Sequence, residues 1–570
     1  MTRATATTTL QGLRLRENHL FLALTVLVGI IAGLSAVLFA LAIDRVGRGL
    51  FGLDPTPARL FLVPTGASLL AGVLLAKVFP DVRGSGVPQT KAAFHLQGGM
   101  IPLRVPLGKF LMGVLCVGSG HSMGREGPSV QIGAGLASVI GRWVGLPAHR
   151  VRELVPVGAA GALAAAFNTP VAAVIFALEE LIGDLNAPLI GSTVVASVAA
   201  VMVERSILGN EPLFHVPTYQ LVHPAELAAY AALGVVGGLL SLVFCRTLLA
   251  VRQRTMALSS TRRMLLPAVG GAIIGILIIF VPEVMGVGYE YIGQALNGGL
   301  LLQTLLVLCA VKMVATLVSY TTGNAGGIFA PSLYIGAMAG GAVGTLTRLV
   351  APFPTADPGA YALVGMGALF AGIIRAPMTS VFMIFEITQD YQILVPLMVA
   401  NLLSFLISRR FQPMPIYHAL LAQDGVHLPA AAPGEAPERW VARDAMRPDV
   451  AMWSPAAMVG DVVSATAGRP ERAFFVGEGG QLAGVVTAAH LSAALADGGS
   501  AQTMAHLVQP VSHRLRPDDP DDVVLAGVAA SESPIPVLDD ATGALLGVID
   551  ATDVIRLLAT GDDAGARHEA

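Results

Sequence analysis

Residues 124–133 read G-R-E-G-P-S-V-Q-I-G, and residues 327–336 read G-I-F-A-P-S-L-Y-I-G. The two stretches share the pattern G-x-x-x-P-S-[V/L]-x-I-G. A second matching pair follows them at nearly equal spacing: residues 158–170 read G-A-A-G-A-L-A-A-A-F-N-T-P, and residues 365–377 read G-M-G-A-L-F-A-G-I-I-R-A-P. Two blocks in the same order indicate that the chain contains a duplicated unit.

The chain around these repeats is strongly apolar. Of its 570 residues 54% are hydrophobic and 13% are charged, whereas about a quarter of the residues of an ordinary soluble domain carry charge. A run of about 20 apolar residues spans the hydrocarbon core of a bilayer. Eight runs meet or approach this length: 20–42, 60–79, 227–245, 265–281, 301–315, 332–345 with its flanks, 361–385 and 394–407. The sequence therefore predicts an all-α integral membrane protein, with short and broken helices because it holds 64 Gly and 36 Pro.

Charge divides the chain into two parts. Residues 421–570 hold 21 Asp and Glu against 9 Arg and no Lys, whereas the first 420 residues hold 17 acidic and 26 basic residues. We therefore expect a membrane domain followed by a soluble one. The predicted boundaries are a transmembrane domain 1–421 (repeats roughly 20–208 and 227–420), a Pro/Ala-rich linker 422–440, a small soluble α+β module 441–560 and a tail 561–570.

Arginines indicate the orientation in the membrane. The connection at residues 246–263 carries five arginines, whereas the preceding connection at residues 209–226 carries no Lys or Arg. Connections rich in Lys and Arg lie on the cytoplasmic side. The arginine-rich connection and the N-terminus, which carries Arg3, Arg14 and Arg16, are therefore expected in the cytoplasm, and the acidic C-terminal part is assigned there too.

The repeated loops hold candidate anion-binding groups. Glu126 stands between glycines in the first copy, and an ionisable residue at membrane depth is a functional hypothesis by default; the ordinary alternative is a partnered structural carboxylate. The second copy has Ile328 and Phe329 where the first has Arg125 and Glu126. A helix N-terminus favours an anion. One half is thus expected to supply a movable charged group and the other only backbone donors.

Two hydroxyl side chains add to this set. Ser85 stands in G-S-G-V-P at residues 84–88, and Tyr417 stands in M-P-I-Y, where the last apolar run ends. Each hydroxyl is able to donate one hydrogen bond to an anion. Each also has an ordinary interpretation, the serine as part of a turn and the tyrosine as an interfacial anchor.

G-S-G-V-P, G-R-E-G-P, G-G-I-F-A-P and the late P-I-Y together resemble the signature motifs of the CLC family of chloride channels and chloride/proton antiporters. The resemblance covers about 420 residues in the expected order. It implies a homodimer with one pore per subunit, and each subunit built from two inverted helical halves. The residues alone leave open whether the halves are parallel or inverted.

The resemblance implies two chloride sites, a central one formed by Ser85, Tyr417 and the backbone N–H groups of Ile328 and Phe329, and an outer one formed by Gly124, Arg125, Glu126 and Gly127. In the outer site Glu126 acts as the gate. A carboxylate is itself an anion, so it occupies the chloride position and blocks it. Protonation removes this competitor, which couples proton uptake to chloride entry without a metal or cofactor.

Exchangers of the family also use an inner glutamate that accepts protons. In the pair Glu179-Glu180 the second acid matches that position, while a charge at the cytoplasmic rim is the ordinary alternative. An acidic residue follows nine positions after the proline of each repeat, Glu179 in the first and Glu386 in the second, so Glu180 has no repeat partner. Glu386 is interpreted as structural. The G-S-G form around Ser85 resembles that of family members that prefer chloride.

The soluble part resembles a tandem CBS module, which in other proteins often binds adenine nucleotides. Each of its two units has two predicted strands and a helix: 473–476, 482–486 and 488–495, then 535–538, 544–549 and 551–558. The usual hydroxyl residue and Asp, three positions apart, are Thr487 with His490 in the first unit and Asp550 with Asp553 in the second. Each copy breaks the pattern once, so a nucleotide sensor and a structural, dimer-stabilising module both stay open.

The leading hypothesis is a chloride/proton antiporter with a glutamate gate, in the inner membrane of a bacterium-like cell. Its expected partners are chloride, protons, the bilayer and a second copy of the chain, with no nucleic acid. The alternative is a passive chloride channel of the same fold, gated by voltage or a ligand, and Glu180 favours exchange. A membrane-embedded enzyme or receptor is more remote, since the 12 His are scattered and neither an H-E-x-x-H motif nor a cofactor loop is found.

Overall fold

The structure of the protein is a computed structural model. It describes residues 2–185, 189–210, 213–214, 216, 222–389, 391–428, 440–448, 450–466, 472–511, 513–531, 533–539 and 542–560. The chain forms two compact units, residues 1–431 and 432–570. The division lies within the predicted linker, and each unit is described separately below.

The first unit is built from helices. They are α1 (Thr2–Phe51), α2 (Pro57–Lys77), α3 (Val87–Leu96), α4 (Arg104–Gly118), α5 (Glu126–Trp143), α6 (Ala148–Phe167), α7 (Pro170–Phe176), α8 (Ile190–Leu208), α9 (Glu226–Met256), α10 (Ser260–Phe280), α11 (Tyr289–Leu296), α12 (Leu302–Thr321), α13 (Phe329–Val350), α14 (Pro358–Ile374), α15 (Pro377–Thr388), α16 (Leu394–Phe411) and α17 (Ile416–Gln423). A π-helical turn, Ala177–Ile182, continues α7.

Eight segments in the described part of the chain are long and apolar enough to cross a membrane, so the protein is a multi-pass membrane protein. They are Phe21–Phe51, Pro57–Lys77, Ile190–Leu208, Glu226–Met256, Ser260–Phe280, Leu302–Thr321, Phe329–Val350 and Leu394–Gln423. The predicted class of protein is confirmed. The eight apolar runs predicted from the sequence did not include α8, because Glu204 and Arg205 near its end interrupt the apolar composition.

One predicted span is in fact two helices. The continuous apolar run at residues 361–385 is divided between α14 and α15, which are separated at Arg375 and Ala376. Arg375 adopts a left-handed conformation with φ of 67°, and Pro377 occupies the first position of α15. Asn168, with φ of 57°, precedes α7 in the same way. Proline suits the start of a helix because it lacks the N–H group that would be unsatisfied there.

Equivalent glycines of the two repeats pair with each other. The Gly124 N–H donates to the Gly327 carbonyl at 2.8 Å, and the Gly327 N–H donates to the Gly124 carbonyl at 2.8 Å, in an antiparallel bridge. Reciprocal contacts between equivalent residues define a two-fold relation. The two repeats are therefore related by a two-fold axis near this bridge, and their equivalent segments run in opposite directions where they meet.

Two glutamates repeat this reciprocity. Glu179 accepts hydrogen bonds from the first turn of α15, at 3.1 Å from the Met378 N–H and 2.8 Å from the Thr379 N–H. Glu386 accepts hydrogen bonds from the first turn of α7 at 2.9 and 2.8 Å. A carboxylate at a helix N-terminus satisfies free N–H groups and complements the helix dipole. The structural interpretation of Glu386 is confirmed, and Glu179 has the same role.

A third repeated block was missed in the sequence. Residues 80–86 read P-D-V-R-G-S-G, and residues 282–288 read P-E-V-M-G-V-G. The ammonium of Lys109 donates to two carbonyls of the first loop at 2.7 and 2.9 Å, and that of Lys312 donates to two carbonyls of the second loop at 3.0 and 2.7 Å. Both lysines are fully buried. These loops are therefore held in equivalent ways before α3 and α11.

The second unit is a small α+β domain. Its elements are α18 (Ala442–Ala445), β1 (Met452–Trp453), α19 (Val459–Ala465), β2 (Ala473–Glu478), β3 (Gln481–Thr487), α20 (Ala488–Ala496), α21 (Asp521–Ala530), β4 (Ile535–Leu538), β5 (Leu545–Ile549) and α22 (Ala551–Thr560). β1 pairs with β2 in parallel, β2 with β3 antiparallel, and β4 with β5 antiparallel. The two predicted strand–strand–helix units are confirmed to within about two residues.

Candidate anion-binding site

Two helix N-termini meet at the glycine bridge. α5 begins at Glu126 and α13 begins at Phe329, and the residues that precede them, Arg125 and Ile328, place no side-chain cap on the free N–H groups. The first four N–H groups of an α-helix have no partner within the helix. Because Glu126, Ile328 and Phe329 are buried, water does not cover these donors. Such a buried, uncapped N-terminus suits an anion.

Two buried hydroxyl groups lie beside these helices. Ser85 and Tyr417 are fully buried, and neither hydroxyl has a hydrogen-bond partner among the described residues. α17, which carries Tyr417, packs against α3, which begins two residues after Ser85. A β-carbon at Gly127 would lie 2.9 Å from the Ser85 carbonyl and 3.5 Å from the Gly327 Cα, so Ser85 and both helix starts are close together. A buried hydroxyl without a partner costs about 1–3 kcal/mol, which a bound anion would offset.

The Glu126 carboxylate points at the helix of the other half. The side chain is fully buried, and its Oε1 accepts a hydrogen bond from the Tyr289 hydroxyl. Its Oε2 lacks a partner within the described part of the chain and lies beside the Gly124 Cα, where the backbone N of Ala330 also approaches. Ala330 is in the first turn of α13. The carboxylate thus occupies the position that the N-terminus of α13 offers to an anion.

Tyr289 is a residue that the sequence analysis missed. It begins α11 directly after Gly288, whose φ of 83° requires a glycine. The Arg125 guanidinium lies over its ring, 5.4 Å from the centroid. Tyr289 therefore holds the carboxylate through its hydroxyl while its ring orders Arg125. The repeated P-[D/E]-V-x-G-x-G block, which ends immediately before Tyr289, was the signal that could have found it.

The start of α13 is fixed by aromatic packing. The Phe329 ring lies 4.5 Å from Phe370, 5.1 Å from Phe167 and 5.8 Å from Phe176, measured between ring centroids. These partners come from α14, α6 and α7. Tilted and edge-on pairs of this kind add about 0.5–1.5 kcal/mol each beyond their buried area. Phe329, which stands in the second half where the first half has Glu126, therefore fixes the position of the N–H donors at the start of α13.

Glu180 is buried and forms an ion pair. It is 4% exposed, and its Oε1 lies 2.9 Å from the Lys91 ammonium, itself buried. The π-helical turn separates the neighbouring acids, so that Glu179 reaches α15 while Glu180 reaches α3. α3, which carries Lys91, packs against both the π-helical turn and α17, the helix that carries Tyr417. Glu180 and the hydroxyl pair therefore belong to one buried polar region.

Two cavities approach this region. One, of about 640 Å³, is lined by Gly84, the residue before Ser85. The other, of about 520 Å³, is lined by Arg125 and Tyr289, the partners of Glu126. Ser85 and Glu126 themselves are buried and line neither cavity, although residues next to each of them do.

In the second unit, the side chains that would meet an adenine nucleotide according to the CBS resemblance are bonded to other residues of the domain. Asp550 and Asp553 both pair with Arg447, at 2.9 Å each. Partial burial raises the pKa of Asp550. The N–H groups of Asp553 and Thr552 and the guanidinium of Arg447 lower this pKa by more than burial raises it, so the pKa lies below its usual value. This carboxylate is charged at neutral pH and repels a phosphate.

In the first strand–strand–helix unit, the equivalent residues, Thr487 and His490, also contact other residues of the domain. Thr487 Oγ1 lies 2.6 Å from His490 Nδ1, and His490 Nε2 lies 3.0 Å from the Gln509 amide. The hydroxyl and the imidazole that would meet a nucleotide are engaged with each other. In neither strand–strand–helix unit, therefore, do the candidate side chains fit an adenine nucleotide in their present contacts.

Comparison with known proteins agrees with this geometry. The sequence pattern of the family described as voltage gated chloride channel matches residues 67–409, more than half of the chain. The chain therefore belongs to this family, the CLC family.

Relatives share most of the membrane unit. The chain is 32% identical over 418 residues to the H(+)/Cl(-) exchange transporter ClcA of Vibrio cholerae (strain M66-2), covering 70% of this chain and 88% of the relative. It is 32% identical over 431 residues to the putative chloride channel protein ClcB-like of Ralstonia nicotianae, covering 72% and 99%. The fold resembles that of a slow cyanobacterial Cl-/H+ antiporter, with a TM-score of 0.65, 28% identity and coverage of 71% and 97%.

Proposed function

We propose that this protein exchanges chloride for protons across a membrane. The observation that carries the proposal is the Glu126 carboxylate at the uncapped N-terminus of α13, beside two buried hydroxyls without partners. A carboxylate and a chloride ion compete for the same N–H donors. The charged carboxylate excludes chloride, and the protonated one releases the position, so a proton is taken up each time chloride enters.

Ser85 and Tyr417 donate to chloride in the central site, together with the backbone N–H groups of Ile328 and Phe329. Each hydrogen bond to a charged acceptor contributes about 1.5–3 kcal/mol, which together offset the loss of the hydration shell of the ion. The outer site uses the turn that contains Gly124, Arg125 and Gly127, and Glu126 replaces chloride there when it is charged.

Glu180 accepts protons from the cytoplasmic side. Glu180 is buried next to Lys91, and neither residue lines the cavity beside Gly84, which supports a proton entry separate from the anion path. The relatives named as exchange transporters and antiporters support coupled exchange over passive flow.

A passive chloride channel is the second candidate, favoured by one observation. The Lys91 ammonium, 2.9 Å from Glu180, competes with a proton for the carboxylate. If Lys91 never releases Glu180, protons have no entry and only chloride moves. Because the chain belongs to the CLC family, the third and most remote alternative, a membrane-embedded enzyme or receptor, is not retained.

We propose that the protein works as a homodimer in the inner membrane of a bacterium-like cell, with both termini in the cytoplasm. The arginines around the α9–α10 turn support this orientation. The second unit is proposed to stabilise the dimer rather than to bind a nucleotide, because its candidate side chains already have partners. Cross-linking of the protein in its native membrane tests the dimer.

Simultaneous chloride and proton flux from proteoliposomes tests the exchange. We expect a chloride gradient to drive protons uphill, against their own gradient. Chloride flux without uphill proton movement would establish the channel instead. No anion flux at all would overturn both candidates.

A further inference from the structure

Four arginines lie around the C-terminal end of α16. They are Arg246 of α9, Arg375 between α14 and α15, and Arg409 and Arg410 in the last turn of α16 itself. The Arg246 guanidinium donates to the Phe411 carbonyl at 2.7 Å. The Arg375 guanidinium donates to the Ser408 carbonyl at 3.2 Å and to the Pro413 carbonyl at 2.8 Å. Two positive groups from other parts of the chain therefore meet the two that α16 carries.

This arginine cluster carries more positive charge than the helix end requires. The free carbonyls at a helix C-terminus are equivalent to about half a negative charge, and Arg246 and Arg375 already donate to carbonyls there. None of the four guanidinium groups forms an ion pair in the part of the chain that the structure describes. Arg409 and Arg410 are exposed and make no hydrogen bond among the described residues. Because like charges repel, the cluster favours a counter-anion.

The arginine cluster lies at the end of an apolar stripe on α9. Val235, Leu239 and Val243 are exposed on this helix, and Arg246 follows them on the same face. Residues three and four positions apart share one face of an α-helix. Because α9 is long and apolar enough to cross a membrane, this face suits acyl chains. A cation that ends such a face lies at the level of the lipid headgroups.

The corresponding helix of the first half, α8, ends without an excess of charge. Glu204 and Arg205, near its end, have opposite charges. Asn168 stands in the first repeat where the second has Arg375, and its side-chain oxygen accepts a hydrogen bond from Arg205 at 2.9 Å. The repeated fold therefore forms this helix end without a group of cations, and the arginine cluster is a feature of the second half alone.

We propose that the arginine cluster binds the headgroup of an anionic phospholipid. A guanidinium group presents a planar fork of N–H donors that matches the oxygens of a phosphate. Basic residues at the ends of membrane helices attract anionic headgroups. Arg409 and Arg410 donate to the phosphate, and the acyl chains lie along the exposed face of α9. The inference is independent of which ion the protein transports.

The test uses the full chain in a neutral detergent, with added phosphatidylglycerol or phosphatidylcholine of identical acyl chains. Native mass spectrometry measures the affinity for each lipid, and the unfolding temperature reports the stabilisation. We expect the wild type to prefer phosphatidylglycerol in both measurements. Arg409→Gln combined with Arg410→Gln should lower this preference about tenfold or more, because a basic residue near the membrane surface contributes about 1 kcal/mol, about fivefold in affinity. Lysine at both positions should retain most of the preference.

Arg254→Gln combined with Arg262→Gln is the matched control, because these arginines are also exposed but lie at the α9–α10 turn, outside the cluster. An equal loss of preference in the control would mean a diffuse attraction and overturn the site. Equal affinity of the wild type for the two lipids, or an unchanged preference in the Arg409→Gln/Arg410→Gln protein, would also overturn it. Inorganic phosphate should leave the unfolding temperature unchanged, and a rise equal to that with phosphatidylglycerol would assign the cluster to a free anion instead.

Discussion

The two halves of the membrane unit agree wherever they hold the structure together. Glu179 and Glu386 cap each other's helices, and Lys109 and Lys312 hold equivalent loops through their carbonyls. Equivalent residues make equivalent contacts because a two-fold relation gives each of them the same surroundings. These two glutamates and two lysines thus form a structural frame that is repeated in both halves.

The halves differ where the proposed ion and proton paths run. Three polar residues of the first half are aligned with apolar residues of the second half. Glu126 is aligned with Phe329, Ser85 with Val287, and Glu180 with Ile387. All three polar side chains are buried, and burial of a polar group costs free energy. The glutamates and lysines present in both halves support the fold, whereas the proposed transport residues Glu126, Ser85 and Glu180 are present in one half only.

The neighbouring acids Glu179 and Glu180 offer the largest test of this distinction. Glu180→Gln removes the proposed proton acceptor, so we expect proton transport to fall to background while chloride transport continues. Glu179→Gln retains an amide oxygen to accept from α15 and should leave coupling largely intact. Parallel recordings of proton and chloride flux from proteoliposomes make the measurement. If Glu179→Gln uncouples instead, the alignment with the family is shifted by one residue.

A substitution of Lys91 tests whether Glu180, which has no counterpart in the second half, is held by a buried ion pair. Lys91→Met leaves Glu180 buried without a partner, and breaking such a pair costs about 3–5 kcal/mol. The double variant Lys91→Met with Glu180→Gln removes both charges and should recover most of the lost stability. Thermal unfolding of the detergent-solubilised protein measures both. Equal stability of the single variant and the wild type would show that the pair does not form.

The hydroxyl pair is the next feature in order of effect. Ser85→Ala and Tyr417→Phe each remove one donor, so we expect each to weaken chloride binding by about 1.5–3 kcal/mol, about one to two decades. Calorimetric titration with chloride measures the affinity. Tyr334→Phe is the control, because its buried hydroxyl donates to the Glu283 carbonyl away from the site. Unchanged affinity in a Ser85→Ala/Tyr417→Phe protein would remove both residues from the site.

Tyr289 gives the smallest expected effect. Tyr289→Phe removes one hydrogen bond to the Glu126 carboxylate and keeps the ring under Arg125. Chloride should then displace the carboxylate more easily, and chloride flux at neutral pH should rise by up to about tenfold, the equivalent of about 1.4 kcal/mol. Coupling to protons should persist. A flux equal to that of the wild type would mean that Tyr289 does not position the gate.

The sequence predicted the motifs better than their surroundings. Local patterns sufficed for the strands of the second unit and for the repeated G-x-x-x-P-S loops. The Tyr289–Glu126 contact joins residues 163 positions apart, and the Lys91–Glu180 pair joins residues 89 apart. Such contacts depend on how the helices pack, which one sequence does not specify. The break at Arg375 was missed because the residues around it are uniformly apolar.

We propose that Glu126, a carboxylate without a counterpart in the second half, is the gate that couples the two ions. Proton and chloride flux are therefore measured in the same proteoliposomes for the wild type and for Glu126→Gln, which mimics the protonated side chain. We expect uphill proton movement in the wild type, and chloride flux without proton movement in the variant. Proton pumping by Glu126→Gln at the wild-type rate would contradict it.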